Sequence, residues 1–251
     1  MTDLHQLQFY ATPEHPCSYL PGQQAKTLFV DPKAVVDKAD YSTLSDLGFR
    51  RSGPHLYRPH CNACKACVSA RVNVGRFAPN KTQRRVMRHN TDLSIKITKP
   101  HQCPEIYNLY ESYINARHAD GDMYPASTEQ FESFLVNSDQ ETCFMEFRDQ
   151  DNLVAIAVID RLEFGISAIY TFFNPEQKRR SLGTYAILSQ IEYAQQQRLP
   201  YLYLGYWIHN CRKMTYKVQF QPVELLIDGS WIEIDPCTTT EQESRIKTFD
   251  L

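Results

Sequence analysis

The chain has 251 residues, 42% of them hydrophobic and 22% charged, with a formal net charge of −2. That balance excludes a disordered chain, and no apolar run approaches the roughly 20 residues a membrane-spanning helix needs. The first fifteen residues lack a basic stretch followed by an apolar one, so no secretory signal and a cytoplasmic location are expected.

The length accommodates one compact domain or two small ones. Residues 1 to about 25 carry Pro13, Pro16 and Pro21 without periodicity and read as an extended arm. Leu44 to Pro59 is punctuated by Gly48, Gly53 and Pro54, which predicts loops and short strands. Between Arg50 and Lys99 twelve lysines and arginines face a single acid, Asp92, while the other 28 acids lie elsewhere. Such a one-sided block suits a polyanion, because neutralised phosphates release counterions, although a solvated basic face is the plainer reading.

Beyond that block, Pro104 is suited to a first helical turn, and Ile106, Leu109, Tyr110, Tyr113 and Ile114 recur at helical spacing. A second helix is predicted to open at Ser127, with Gln130 three residues on, as in a capping box. From Thr142 the period changes to two, predicting strands over Thr142 to Phe147, Val154 to Asp160 and Ile166 to Phe173. A helix follows from about Ser181 to Gln197, then a strand from Tyr201 to Tyr206. Helices, a meander, a basic turn, a helix and a further strand are the order of the GNAT acyltransferase core. The predicted fold is therefore α+β: a cysteine-bearing N-terminal region over residues 1–100, then a GNAT-like domain with a mixed central sheet over 101–251.

Three stretches could carry chemistry. Cys61-Asn-Ala-Cys64-Lys-Ala-Cys67 places three thiols at the spacing that wraps one soft metal ion or an iron–sulfur cluster, with Cys17 the candidate fourth ligand and His60 its competitor. Zinc and a cluster are not separable by spacing, and three free thiols packed in a turn remain the alternative. The turn from Gln177 to Tyr185 keeps Arg180 and Gly183 where GNAT enzymes offer backbone N–H groups to a pyrophosphate, but Tyr185 stands where a small residue belongs. Its bulk argues for a different phosphate-bearing donor. Tyr206 to Lys217 then gathers Tyr206, His209, Lys213, Tyr216 and Lys217 just beyond a strand end, where ligands collect in open sheets.

Together these stretches resemble the aminoacyl-tRNA–protein transferases, specifically the bacterial aspartate/glutamate leucyltransferases related to eukaryotic arginyltransferases. The matching residues are Cys17 to Gly22, Gly48 to Gly53 with Tyr57 to Pro59, the three-cysteine run, Arg117 to Met123, Val158 to Asp160, Ser181 to Tyr185, Gly205 to His209 and Lys213 to Lys217. The resemblance implies transfer of leucine from Leu-tRNA to proteins beginning with Asp or Glu, in N-terminal-rule degradation.

An aminoacyl ester is already activated, so aminolysis by an α-amine needs positioning and proton transfer rather than a cofactor. Tyr206, His209 and Tyr216 are the candidates for proton traffic, with Asp160 as an acid facing the same cleft. An acidic acceptor calls for a planar bidentate donor, which points to Arg50, Arg51 or Arg58. For tRNA, Arg76, Lys81, Arg84, Arg85 and Arg88 are the candidates, joined by Arg180, Lys213 and Lys217. The competing functions are arginyl transfer, CoA-dependent N-acetylation and non-catalytic RNA binding. Oligomeric state is not legible.

Overall fold

The computed structural model describes residues 7–119, 121 and 123–234. Residues 1–6 of the expected arm, Asp120 and Asp122 of the 117–123 motif, and residues 235–251 lie outside them.

The fold is mixed α+β, built on two sheets. In the first part, β1 (Phe9–Ala11), β4 (Thr27–Val30), β5 (Arg50–Ser52) and β6 (His55–Pro59) form an antiparallel sheet in the order β1-β4-β6-β5. A short pair, β2 (His15–Pro16) and β3 (Gln24–Ala25), stands beside it, so the expected arm is strand for part of its length. Helix α1 (Lys38–Asp46) starts where the Asp37 carboxylate accepts from the Asp40 amide at 2.8 Å, satisfying a first-turn donor.

The central sheet has eight strands. In chain order they are β7 (Val68–Asn73), β8 (Leu93–Thr98), β9 (Thr142–Asp149), β10 (Asn152–Arg161), β11 (Gly165–Phe173), β12 (Tyr201–Trp207), β13 (Val223–Ile227) and β14 (Ser230–Ile234). Their spatial order is β14-β13-β7-β12-β11-β10-β9-β8, and only β11 and β12 run parallel. Two of these strands, β7 and β8, come from the first hundred residues. The division at residue 100 therefore does not follow the sheet, which recruits a long-range antiparallel partner for β12 that no local period announces.

Strand β10 shows how the sheet is covered. Ala155, Ala157 and Ile159 face a core made with α5 (Leu182–Gln196) and with Val86 of α2 (Lys81–His89). Ile156 and Val158 point the other way, into a core with α3 (Pro104–Arg117) and Phe131 of α4 (Thr128–Phe131), which passes into one π-helical turn over Glu132–Val136. Past the end of α3, the first part of the chain covers that same face. Tyr41, Leu44, Phe49 and Leu56 pack there against Leu162 and Tyr203.

The parallel pair is short. It joins Gly165 to Tyr201, Ile166 to Leu202 and Ser167 to Tyr203, and beyond that β11 and β12 continue without pairing to each other. A bulge in β12 against β7, at Tyr203/Gly205 with Gly205 at φ +78°, accompanies the separation. The result is a notch in mid-sheet, where Ala168 to Thr171 stay partly exposed despite their central position. No helix among the described residues is long and apolar enough to cross a membrane.

Candidate functional site

At the C-terminal end of β12 a cavity of about 650 Å³ opens. It is bounded by Tyr206 to Asn210, by Tyr57 to Pro59 of β6, by the cysteine loop, by the β2–β3 pair and by the turn after β13. The sheet thus presents two adjoining openings, the notch between β11 and β12 and this cavity beside the strand that forms one of its walls.

Tyr206, His209 and Arg58 all reach the cavity. The Tyr206 hydroxyl is committed: it donates to the Gly48 carbonyl at 2.9 Å and is 3.2 Å from that of Tyr57, and burial pushes its pKa well above the usual phenol value. Tyr206 is accordingly a latch between β12 and the first sheet rather than a free acid. The His209 ring lies edge-on to Trp207 at 5.7 Å. Arg58 covers the Phe49 ring at 5.1 Å and donates to the Leu47 carbonyl. The Tyr216 ring is exposed on one side, while its hydroxyl, enclosed near Tyr113, is pushed up to about 12.

Asp160 and Arg51 are placed differently from expectation. Asp160 is completely buried and accepts from Arg51 Nε at 2.6 Å, Arg51 Nη2 at 2.8 Å, Tyr41 Oη at 2.8 Å and Thr142 Oγ1 at 2.7 Å. Its carboxylate faces the interior and no cleft, so it is not positioned for proton traffic. Arg51, spent on that carboxylate and on the Gly53 carbonyl, has no free edge for an acceptor. Pairing at this depth needs such full satisfaction, because an unpaired charge there would be costly.

Arg50, its neighbour, is equally buried but without an acid. Nη1 donates to the carbonyls of Ser45 and Phe49, while Nε and Nη2 have no hydrogen-bond partner among the described residues. The guanidinium lies 5.2 Å from the Tyr203 ring centroid and 6.0 Å from that of Tyr206. Lys217, expected to reach tRNA phosphate, is also buried: Nζ donates to the Tyr206 carbonyl and touches Met214 Sδ. Burial, with Arg50 next, pulls its pKa down to about 8.

The remaining basic residues fall into two groups. Lys81, Arg84, Arg85 and Arg88 are exposed along α2, a helix opened by a capping box between Asn80 and Gln83. Arg76 pairs with Glu233 instead, and Arg180 is held by Asp92 at 2.7 Å and Asp149 at 3.1 Å, so neither is an unengaged phosphate ligand. Lys213 is exposed. Lys178 and Arg179, not singled out from the sequence, are exposed at the start of α5. They stand close to the end of α2, because Asn90 Nδ2 donates to the Arg180 carbonyl at 2.9 Å. Tyr185 does not obstruct this helix start; its ring packs edge-on to Phe147 at 5.6 Å, beneath α5. A further unforeseen group is the Tyr170 hydroxyl on the notch-bordering stretch of β11, buried and without a partner among the described residues.

Cys17, Cys61, Cys64 and Cys67 all line the cavity, as does His60. Cys61 Sγ accepts from the Lys26 amide and Cys17 Sγ from that of Tyr19, both at 3.4 Å. Burial, then the neighbouring Cys17, Cys61 and Cys64, pushes the Cys67 thiol up to about 12. Among the described residues, no three His, Cys, Asp or Glu groups are arranged to hold a metal ion. The thiols share a wall without forming a ligand set.

The chain matches two family models, the N terminus of arginine-tRNA-protein transferase over residues 15–85 and its C terminus over 105–227. An aspartate/glutamate leucyltransferase from Marinobacter nauticus is 55% identical over 93% of this chain and 99% of its own length. One from Hahella chejuensis is 52% identical over 93% and 100%. Among solved structures, L-PGS from Bacillus licheniformis aligns at 13% identity with a TM-score of 0.41, over 67% of this chain and 50% of that one, a likeness too loose to argue from. With relatives this similar along nearly its whole length, the chain belongs to the aminoacyl-tRNA–protein transferase family.

Proposed function

We propose that this enzyme transfers leucine from Leu-tRNA to the N-terminal α-amine of proteins beginning with Asp or Glu, marking them for N-terminal-rule degradation. The observation that carries the reading is the similarity above, with aspartate/glutamate leucyltransferases more than half identical over 93% of the chain. The geometry agrees with a two-substrate reaction. Exposed α2 cations with Lys178 and Arg179 offer a phosphate-binding surface on the α5 side of the sheet, and the cavity opens on the opposite side, by the first sheet. The splayed parallel pair with a helix start beside it is the GNAT-like feature, and it supplies the passage between the two.

In that passage the acceptor nitrogen attacks the ester carbonyl carbon, the carbon–oxygen bond to the terminal ribose breaks, and the amine proton ends on the ribose oxygen. The unpaired edge of β11 presents the backbone N–H groups of Thr171 and Phe173, which can hold the tetrahedral oxyanion, while that of Phe172 turns to β10. An α-amine has a pKa of about 8, so about one-tenth is already neutral at about pH 7 and the nucleophile forms without a dedicated base. His209 is the proton carrier best placed on the cavity wall.

Charged tRNA is made in the cytoplasm, which places the enzyme there. We also propose that Cys17, Cys61, Cys64 and Cys67 take up zinc or an iron–sulfur centre by drawing together in its presence, an anchor for the N-terminal arm with no part in the chemistry. Metal analysis of anaerobically purified protein, finding less than about one-tenth equivalent of either, would remove that part.

The deciding assay offers Leu-tRNA or Arg-tRNA with a peptide beginning in Glu. A mass gain of one leucine is expected. A gain with arginine alone supports the arginyl reading that the names of the family models favour, and no gain with either rejects aminoacyl transfer.

A further inference from the structure

Two cations, Arg50 and Lys217, lie more than nine-tenths buried beside Tyr206, the first near its ring and the second on its carbonyl, and neither has a carboxylate partner among the described residues. The acids nearby are already engaged. Asp160 is held by Arg51, Tyr41 and Thr142, and Asp46 by Arg71 and the Tyr203 hydroxyl. A buried cation left uncompensated is strongly unfavourable, so such a pair marks a place completed by an incoming anion.

The donor edge that Arg50 leaves unpaired identifies that anion. Arg50 spends Nη1 on two backbone carbonyls, which fixes the guanidinium, and leaves Nε and Nη2 free. Those two nitrogens form one edge of the fork, the edge that receives both oxygens of a carboxylate in a planar bidentate pair. Around it stand Tyr57, the cross-strand neighbour of Arg50, and Tyr206, whose rings are 6.0 Å apart and both line the cavity. The two rings meet edge to face between the cavity and Arg50, so a carboxylate on a one- or two-methylene stem reaches the guanidinium by displacing one of them, a path too narrow for a phosphodiester fixed in a nucleic-acid backbone.

Resting on the transfer reaction proposed above, we infer that Arg50 and Lys217 are the specificity-determining seat for the acidic side chain of the acceptor's first residue. Arg50 grips the carboxylate bidentately, and Lys217, held on the Tyr206 carbonyl, adds charge beside it. This places the acceptor's α-amine in the cavity beside β12, at the notch.

The test compares peptides beginning in Glu with isosteric peptides beginning in Gln, using the full-length enzyme and Leu-tRNA. For Arg50→Gln and for Lys217→Met, the ratio of kcat/KM for Glu over Gln is expected to fall, by about 100-fold and about 10-fold. Arg50→Lys, which keeps charge but loses the fork, should lower the ratio by about 10-fold. Without any variant, the Glu peptide should raise the Tm of the wild-type protein more than the Gln peptide does. A Glu-to-Gln ratio kept within two- to threefold of wild type in folded Arg50→Lys or Lys217→Met protein overturns the inference. A parallel loss of Leu-tRNA affinity, with the ratio preserved, would hand these cations to tRNA and equally overturn it. Failure of wild-type enzyme to leucylate any peptide would instead sink the proposed function, and the paired Tm measurement would still decide the seat.

Discussion

Arg50 and Arg51 are consecutive on one short strand, and a strand turns successive side chains to opposite sides, so the two reach different surroundings. Arg51 reaches Asp160 and is neutralised; Arg50 reaches the tyrosines around β12 and is not. Nothing in the sequence tells these two arginines apart, since the acid that separates them lies 109 residues away on β10. Removing one member of the buried pair leaves the other charged and unanswered, so Asp160→Asn should lower unfolding stability by about 3–5 kcal/mol. Urea unfolding would measure it, and a change below 1 kcal/mol would show that the pair is not held as described. Lys217 supplies a pH test of the same interior. Its pKa falls from 10.5 to about 8 on folding, so between those values the unfolded chain holds the proton that the native one has released. More protons bound in the unfolded state means stability that rises with pH, and below about pH 8 the cost of burying the ammonium is fully present. Wild type should therefore gain stability relative to Lys217→Met from about pH 8 to 10.5, and parallel curves for the two proteins would contradict it.

At the scale of elements, amphipathic periodicity was a good guide where partners are local. Helix α3 begins at Pro104 as its apolar stripe requires, strands β9, β10 and β11 extend the predicted runs by one to three residues at their ends, and the Ser127 hydroxyl accepts from the Gln130 amide as a cap should. Free charge was less legible. The one-sided block from Arg50 to Lys99 is partly neutralised by acids far along the chain: Arg71 by Asp46 and Glu224, Arg76 by Glu233, Arg51 by Asp160. The largest group that stays exposed and outside any ion pair among the described residues is the α2 face with Lys81, Arg84, Arg85 and Arg88, although Lys96 and Lys99 are exposed as well. Changing all four to Gln should weaken tRNA binding and flatten its dependence on salt, with the slope of log K against log [salt] reduced by about 3 if all four contact phosphate. Folding stability should change little, because these are surface positions. Filter binding over a salt series checks it, and an unchanged slope would move the tRNA elsewhere.

For the whole molecule, the decisive feature is that the sheet is sealed at one end and open at the other along a single pair of strands. The three pairs from Gly165–Tyr201 to Ser167–Tyr203 act as the closed corner, and everything proposed for catalysis lies where β11 and β12 then part. Gly165 sits at that corner for a steric reason: a Cβ there would come within 2.5 Å of the Tyr201 carbonyl oxygen and 3.0 Å of the Tyr203 ring. Backbone cannot yield as a flexible side chain can, so Gly165→Ala must push β12 away from β11 and change how the notch opens. Overpacking of this kind costs about 1–3 kcal/mol, which leaves a folded protein to assay. Because the change removes none of the charged groups assigned to either substrate, kcat should fall at least tenfold while KM for Leu-tRNA and for the Glu peptide each change by less than about threefold. A rise in one KM alone, with kcat kept, would locate the strain at that substrate's surface and show that the two strands do not jointly set the reaction geometry.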